Sequence, residues 1–245
     1  MYDELRKIIE SGNKIVFFGG AGVSTESGIP DFRSENGIYK TRSEYGVSPE
    51  EIISLSFFNR KPEIFYDYYK KNLIYLSAEP NKAHLALAKL EEQGKLTAVV
   101  TQNIDGLHQK AGSKNVIELH GSVRRNYCMG CNAFYDVEYI MDPANCGDSI
   151  PLCKKCGGMI KPDVVLYQEP LDSGVIARAV NAIQSAGTLI VGGTSLVVYP
   201  AAGFINYFKG RSLILINKSE TAYDGKADMV IHDSIGKVLG DAVAY

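Results

Sequence analysis

The sequence predicts an α/β fold: a parallel sheet with helices on both faces, plus a small domain built from a zinc-ribbon insertion and a helical insertion. Three observations lead there. Short apolar runs alternate with helical stretches, the pattern of a parallel sheet covered on both sides. Two regions, 37–76 and 124–160, interrupt that alternation. The second of them contains two Cys-x-x-Cys pairs.

Taken in order, Leu5, Ile8 and Ile9 share one helical face over residues 3–11, and Gly12-Asn13 ends that helix. Lys14-Ile-Val-Phe-Phe18 is a continuous apolar run, as expected of a strand buried on both faces. It leads into Gly19-Gly-Ala-Gly22, with Ser24 placed to cap a following helix. Further strands are expected at 97–101, 116–119, 163–167, 188–191, 212–216 and 228–231, with helices at 81–93 and 172–185. Residues 37–76 are rich in Tyr and Phe and read as helical, with no intervening buried strand. The expected partition is therefore 1–36, 77–123 and 161–245 for the sheet domain. Residues 37–76 and 124–160 are expected to form the helical and zinc-binding parts of the small domain.

Composition narrows the function class. The 245 residues are 45% hydrophobic and 22% charged, ordinary for a globular chain. A net charge of -2 argues against a nucleic-acid partner, because such binding needs a basic footprint. The N-terminus mixes charge with isolated apolar residues and does not read as a signal peptide. No run approaches the ~20 apolar residues of a membrane span. The expectation is a soluble cytoplasmic protein, acting as a monomer.

Cys128-Met-Gly-Cys131 and Cys153-Lys-Lys-Cys156 each place two sulfurs on one ion. Together they make the four-thiolate shell of structural zinc, with no position left open for water. Cys146, the fifth cysteine, reads as a bystander that could replace one of the four.

The glycine loop after the first strand suits an anion, because glycine lets a ligand approach backbone N–H groups. It only half-matches the dinucleotide fingerprint. Gly20-x-Gly22 is present, but Thr25 stands where a third Gly would be. Alone, it is equally compatible with a plain strand-to-helix turn.

The chain resembles the sirtuin family through several segments in register. Gly20-Ala-Gly-Val-Ser24 with Gly28-Ile-Pro-Asp-Phe-Arg33 is similar to the family's nucleotide-binding opening. Thr101-Gln-Asn-Ile-Asp-Gly-Leu-His108 and Glu118-Leu-His-Gly121 are similar to its catalytic segments. Gly193-Thr-Ser195 and Ile216-Asn217 look like its distal NAD contacts. The resemblance implies a Rossmann-like NAD-binding domain and an NAD-dependent protein-lysine deacetylase. It would transfer acetyl from lysine to ADP-ribose and release nicotinamide. An NAD-dependent ADP-ribosyltransferase, or a deacylase for longer or acidic acyl groups, is the alternative.

By the same resemblance His120 is the general base, and Asn103 orients ribose or a water. Ala21, Gly22, Thr25, Phe32, Arg33, Gln102, Ile104, Asp105, Gly193, Thr194, Ser195, Asn217 and Ile235 complete the cofactor contacts. Phe32 would shield the reactive ribose carbon. Val165, Tyr167, Gln168, Val197 and Tyr199 would contact an acetyl-lysine peptide bound as an added β-strand. Gln168 departs from the family's usual Gly. Acidic-acyl members carry Tyr-x-x-Arg where this chain has Tyr66-Asp-Tyr-Tyr69, so a neutral acyl group is expected, with Lys70 able to substitute in part.

Overall fold

The computed structural model describes residues 2–12, 14–30, 42–147 and 149–243. The chain begins with α1 (Asp3–Ser11) and β1 (Ile15–Gly19). Four helices then follow: α2 (Arg42–Tyr45), α3 (Pro49–Ile52), α4 (Leu55–Arg60) and α5 (Pro62–Asn72). Next come α6 (Lys82–Glu92), β2 (Leu96–Thr101), α7 (Leu107–Lys110) and β3 (Val116–Glu118). The cysteine region holds β4 (Gly121–Cys128), β5 (Phe134–Tyr135), α8 (Val137–Met141), β6 (Cys146–Gly147), β7 (Ile150–Pro151) and β8 (Ile160–Val164). The chain then continues through α9 (Ser173–Ser185), β9 (Thr188–Gly192), β10 (Ser212–Ile216), β11 (Met229–Ile231) and α10 (Ile235–Ala242).

Six strands form one parallel sheet in the order β11-β10-β9-β1-β2-β3. The order runs outward from β1 through β2 and β3 on one side, and from β9 through β10 and β11 on the other. The switch therefore falls between β1 and β9, where α/β sheets of this type open a crevice. The continuous apolar run of β1 follows from burial on both faces. Ile15 and Phe17 pack with Leu5, Leu87 and Leu239 of α1, α6 and α10. Val16 and Phe18 pack with Ala179 and Ile183 of α9 and with the 201–207 turn.

A third core lies outside the sheet. Phe58, Phe65, Tyr66, Tyr68 and Tyr69 from the 42–72 helices pack against Val123, Tyr135, Val137, Ile140 and Ile160 from the cysteine region. β5, β4 and β8 form a small antiparallel sheet on that side. No helix among the described residues is long and apolar enough to cross a membrane.

Two sequence expectations are corrected. The run 163–167 is not a strand of the parallel sheet. β8 ends at Val164 and pairs antiparallel with β4, its side chains alternating between buried and half-buried. Val164 and Leu166 are apolar because they belong to the third core, while Tyr167 is 45% exposed. Ser24 caps no α-helix. The chain makes two short 3-10 turns, 21–23 and 25–27, which end at Gly28 in a left-handed conformation (φ +81).

Candidate active site and metal centre

A cavity of about 1180 Å³ opens where the parallel strands end. Its wall takes residues from the loop after each of several strands: Gly20–Gly22 after β1, Gln102–Asp105 after β2, His120 after β3, Gly193–Ser195 after β9 and Asn217 after β10. Ile53, Leu73, Val164 and Leu166 of the third core also line it.

The β1 and β9 loops touch through backbone. Gly22 N–H donates to Gly193 O at 2.8 Å, and a Cβ on Gly22 would sit 2.8 Å from Gly193 Cα. Only glycine permits that approach, and the bare backbone forms a cradle open to a ligand's phosphates. Thr25 Oγ1 donates back to Gly22 O at 3.0 Å and closes the turn.

A chain of polar contacts spans the floor. Ser24 Oγ donates to Asp105 Oδ2 at 2.7 Å, and Asn103 Nδ2 donates to Ser24 Oγ at 3.1 Å. Leu107 N–H donates to Asp105 Oδ1 at 2.8 Å. Burial raises the Asp105 pKa above its ordinary value, against the lowering pull of those two donors. Gln102 Nε2 donates to Thr194 Oγ1 at 3.2 Å, joining the β2 and β9 loops. Burial lowers the pKa of His120, and the Gln102 carbonyl beside its Nδ1 partly offsets this.

The segment 164–169 is pinned at several points. Val165 N–H donates to His120 O at 3.0 Å. Tyr167 N–H donates to Ile53 O, and Leu55 N–H to Tyr167 O, each at 3.0 Å. Glu169 accepts from Leu166 N–H at 2.8 Å and from Lys161 Nζ at 3.0 Å. Gln168 has φ +79, a region that favours glycine, and its Oε1 accepts Ser56 N–H at 3.1 Å.

The cysteine pairs converge as the spacing predicts. The sulfurs of Cys128, Cys131, Cys153 and Cys156 all lie within 4.8 Å of one another. The Cys128–Cys156 and Cys131–Cys153 pairs are 3.4 and 3.6 Å apart. A tetrahedron with Zn–S bonds of ~2.3 Å has edges of roughly 3.8 Å, so the four thiolates fit zinc. Cys146 lies elsewhere, with Lys70 Nζ at 3.2 Å from its sulfur.

Of the predicted site residues, Ala21, Gly22, Thr25, Gln102, Asn103, Ile104, Asp105, His120, Gly193, Thr194, Ser195, Asn217 and Ile235 all line this one cavity. So do Val165, Tyr167, Gln168 and Tyr199. Val197 is half exposed, and the cavity-lining residues of its segment are Ser195, Val198 and Tyr199. Phe32 and Arg33 lie outside the described residues. Tyr66 and Tyr69 are fully buried in the third core and are not part of the cavity wall. The Tyr66 hydroxyl donates to Ile160 O. Sequence reasoning missed Ser24 as the partner of Asp105, and Ile53 and Leu73 as wall residues. Nothing local in the sequence marks those contacts.

Comparison with known proteins accords with this geometry. A family model described as the Sir2 family matches residues 20–200. An "NAD-dependent protein deacetylase" of Clostridium perfringens is 62% identical over 242 residues, covering 98% of each chain. One from Clostridium acetobutylicum is 62% identical, covering 97% of this chain and 96% of its own. Among solved structures, one described as Sir2 with a p53 peptide and NAD+ has a TM-score of 0.86 at 39% identity. It covers 98% of this chain, which in turn covers 95% of it. Another, Sir2 bound to an acetylated peptide, has a TM-score of 0.85 at 37% identity, covering 98% of this chain and 95% of its own.

Proposed function

The chain belongs to the Sir2 family, and from that membership and the cavity's geometry we propose how it works as an NAD-dependent protein-lysine deacetylase. The enzyme moves acetyl from lysine to ADP-ribose and releases nicotinamide. Bound NAD would supply the electrophilic ribose carbon, with nicotinamide as the leaving group.

The observation that carries the reading is the contact between His120 and Gln102. Nδ1 lies 2.9 Å from a backbone carbonyl, which only an N–H can satisfy. The ring is therefore the Nδ1–H tautomer, and Nε2 keeps its lone pair. Burial lowers the ring's pKa, so it is neutral at pH 7 and ready to accept a proton from a ribose hydroxyl.

The remaining roles follow the same logic. The Gly22–Gly193 cradle takes the phosphates, with Ala21, Thr25, Thr194 and Ser195 beside it. Asn217 and Ile235 take the adenosine end, and Ile104 walls the nicotinamide pocket. Asp105, held at both oxygens, accepts the nicotinamide amide. Asn103 orients a ribose hydroxyl or a water, and Gln102 contacts the ribose. Val165, Tyr167, Gln168, Val197 and Tyr199 flank an acetyl-lysine peptide that adds as a strand, so backbone bonds carry most of its affinity. Zinc held by the four cysteines is structural. The division into a sheet domain (1–36, 77–123, 161–245) and a small domain (37–76, 124–160) is part of the same reading, supported by a third core that joins the 42–72 helices to the cysteine region and shares Val123, Val164 and Leu166 with the sheet-domain ranges. So is action as a cytoplasmic monomer without nucleic acid, the last supported by the net charge of -2.

A neutral acyl group is preferred. The lining residues that belong to the third core are the apolar Ile53, Leu73, Val164 and Leu166. Lys70, the nearest substitute for the missing arginine, is turned to Cys146 Sγ and to Ser149 O. Lys218 is the one lysine or arginine among the described lining residues, and it follows β10, beside Asn217. Among the described lining residues a carboxylate on the acyl group would find no donor fork. Nicotinamide release from NAD with matched acetyl- and succinyl-lysine peptides tests this: acetyl should be faster, and faster succinyl turnover would refute it.

A further inference from the structure

A guanidinium staple holds the place where the chain leaves the parallel sheet for the small domain and returns. Arg125, on β4, lies between two carboxylates. Its Nε donates to Asp163 Oδ2 and its Nη1 to Glu118 Oε2, each at 2.7 Å. Glu118 ends β3, two residues before His120, and its side chain is only 8% exposed. Its other oxygen accepts Gln109 Nε2 at 2.8 Å, from the helix that follows Asp105. Asp163 sits on β8. Its backbone carbonyl packs against Gly121, which has φ +74 and no room for a Cβ. Two residues further, Val165 N–H donates to the carbonyl of His120 itself.

We propose that Arg125 is a positioning residue for the deacetylation site. Its planar fork locks β3, β4 and β8 together, and so holds the His120 turn in register with the 102–105 segment and with Val164–Val165. The proposal rests on the cavity being the deacetylase site. The Asp163 arm is exposed and screened, so it contributes little on its own. The Glu118 arm matters more, because removing Arg125 leaves a buried carboxylate without its cation. Lysine cannot reproduce the arrangement, since a single ammonium lacks the two-armed plane that spans both carboxylates. A displacement of about 1 Å at a reacting group can cost on the order of 100-fold in rate. A loose staple therefore reads out at His120 and not at the phosphate cradle, which the β1 and β9 loops build without it.

The test compares zinc-loaded full-length wild type with Arg125→Met, Arg125→Lys and Glu118→Gln. kcat and KM are measured for NAD and for an acetyl-lysine peptide. The ring signals of His120 are followed by NMR and assigned by their loss in His120→Ala. The expectation for Arg125→Met is a kcat lower by about tenfold or more, with KM for NAD within about twofold of wild type. The His120 ring signal should shift in parallel. Arg125→Lys should lie nearer to Met than to wild type, while Glu118→Gln, which keeps a hydrogen-bond acceptor, should recover most of kcat. If Arg125→Met fails to fold or loses zinc, the Lys and Gln variants decide. Wild-type kcat together with an unmoved His120 ring signal in the folded Arg125 variants overturns the proposal. If wild type consumes no NAD, the deacetylase reading fails, whereas the His120 ring signal still tells whether Arg125 holds that turn.

Discussion

His120 Nδ1 lies 2.9 Å from the backbone carbonyl of Gln102. That contact ties the turn after β3 to the residue after β2 and fixes the tautomer of the ring. Replacing His120 by Ala removes the proton acceptor and leaves the cradle of Gly22 and Gly193 intact. We expect kcat to fall by ~10²–10⁴-fold. NAD affinity, measured by calorimetry, should stay within about threefold, because the change touches one contact among many. A variant that keeps wild-type turnover would remove His120 from the chemistry.

The pH profile follows from the same ring. Burial holds the pKa of His120 below its ordinary 6.5, and the active form is neutral. kcat/KM, which reports the free enzyme, should be flat from about pH 7 upward and fall as the pH drops, with its midpoint below ~6.5. A midpoint above 7 would show that another group limits the acid side.

Zinc holds the small domain to the active site by a short route. Cys128 ends β4, which leads out of the His120 turn, and Cys153 and Cys156 precede β8, which pairs with β4. Structural sites of this kind bind with apparent energies of about 10–16 kcal/mol, so losing the ion should unfold the cysteine region. A strong chelator should release one zinc per chain, and deacetylation should decline at the same rate as the metal leaves. Metal-free protein with full turnover and an unchanged melting curve would contradict this.

A buried histidine pair, His84 and His108, predicts acid sensitivity of the fold. The His84 and His108 rings are 4.7 Å apart and fully buried, and His108 has no hydrogen-bond partner at either nitrogen among the described residues. Burial lowers His84 from 6.5 to about 4 and His108 to about 3. Between those values and 6.5 the unfolded chain binds more protons than the folded one, so stability rises with pH. The contribution is complete above ~6.5 and is lost as pH falls towards 4. Chemical denaturation midpoints should therefore drop from pH 7 to pH 5, and His108→Leu should flatten that slope. An equal slope in the variant would assign the acid sensitivity to other groups.

Much of the architecture was legible because its causes are local. The unbroken apolar run Ile15–Phe18 is what burial of both faces of β1 demands, and the run occupies that place. The two Cys-x-x-Cys spacings needed only that their knuckles meet, and they do. The 163–167 run misled because an apolar stretch does not say which surface buries it. Val164 and Leu166 serve the third core instead of the parallel sheet. Ser24 misled in the same way. A serine after a glycine loop fits a helix cap, but its hydroxyl goes to Asp105, 81 residues away. The Tyr66–Tyr69 comparison rests on residues that do not line the cavity, since both rings are buried in the third core. The gathering of distant residues, such as Ile53, Leu73 and Leu166 in one core cluster beside the cavity, leaves no periodicity or spacing to read.

The central claim is that one cavity brings NAD, an acetylated lysine and the His120 imidazole together. The most direct measurement is the stoichiometry of a single incubation with NAD and an acetyl-lysine peptide, read by mass spectrometry. Nicotinamide, free-lysine peptide and O-acetyl-ADP-ribose should appear in equal amounts, and all three should vanish when either substrate is withheld. Nicotinamide released without the peptide, or ADP-ribose found attached to protein in place of O-acetyl-ADP-ribose, would contradict it.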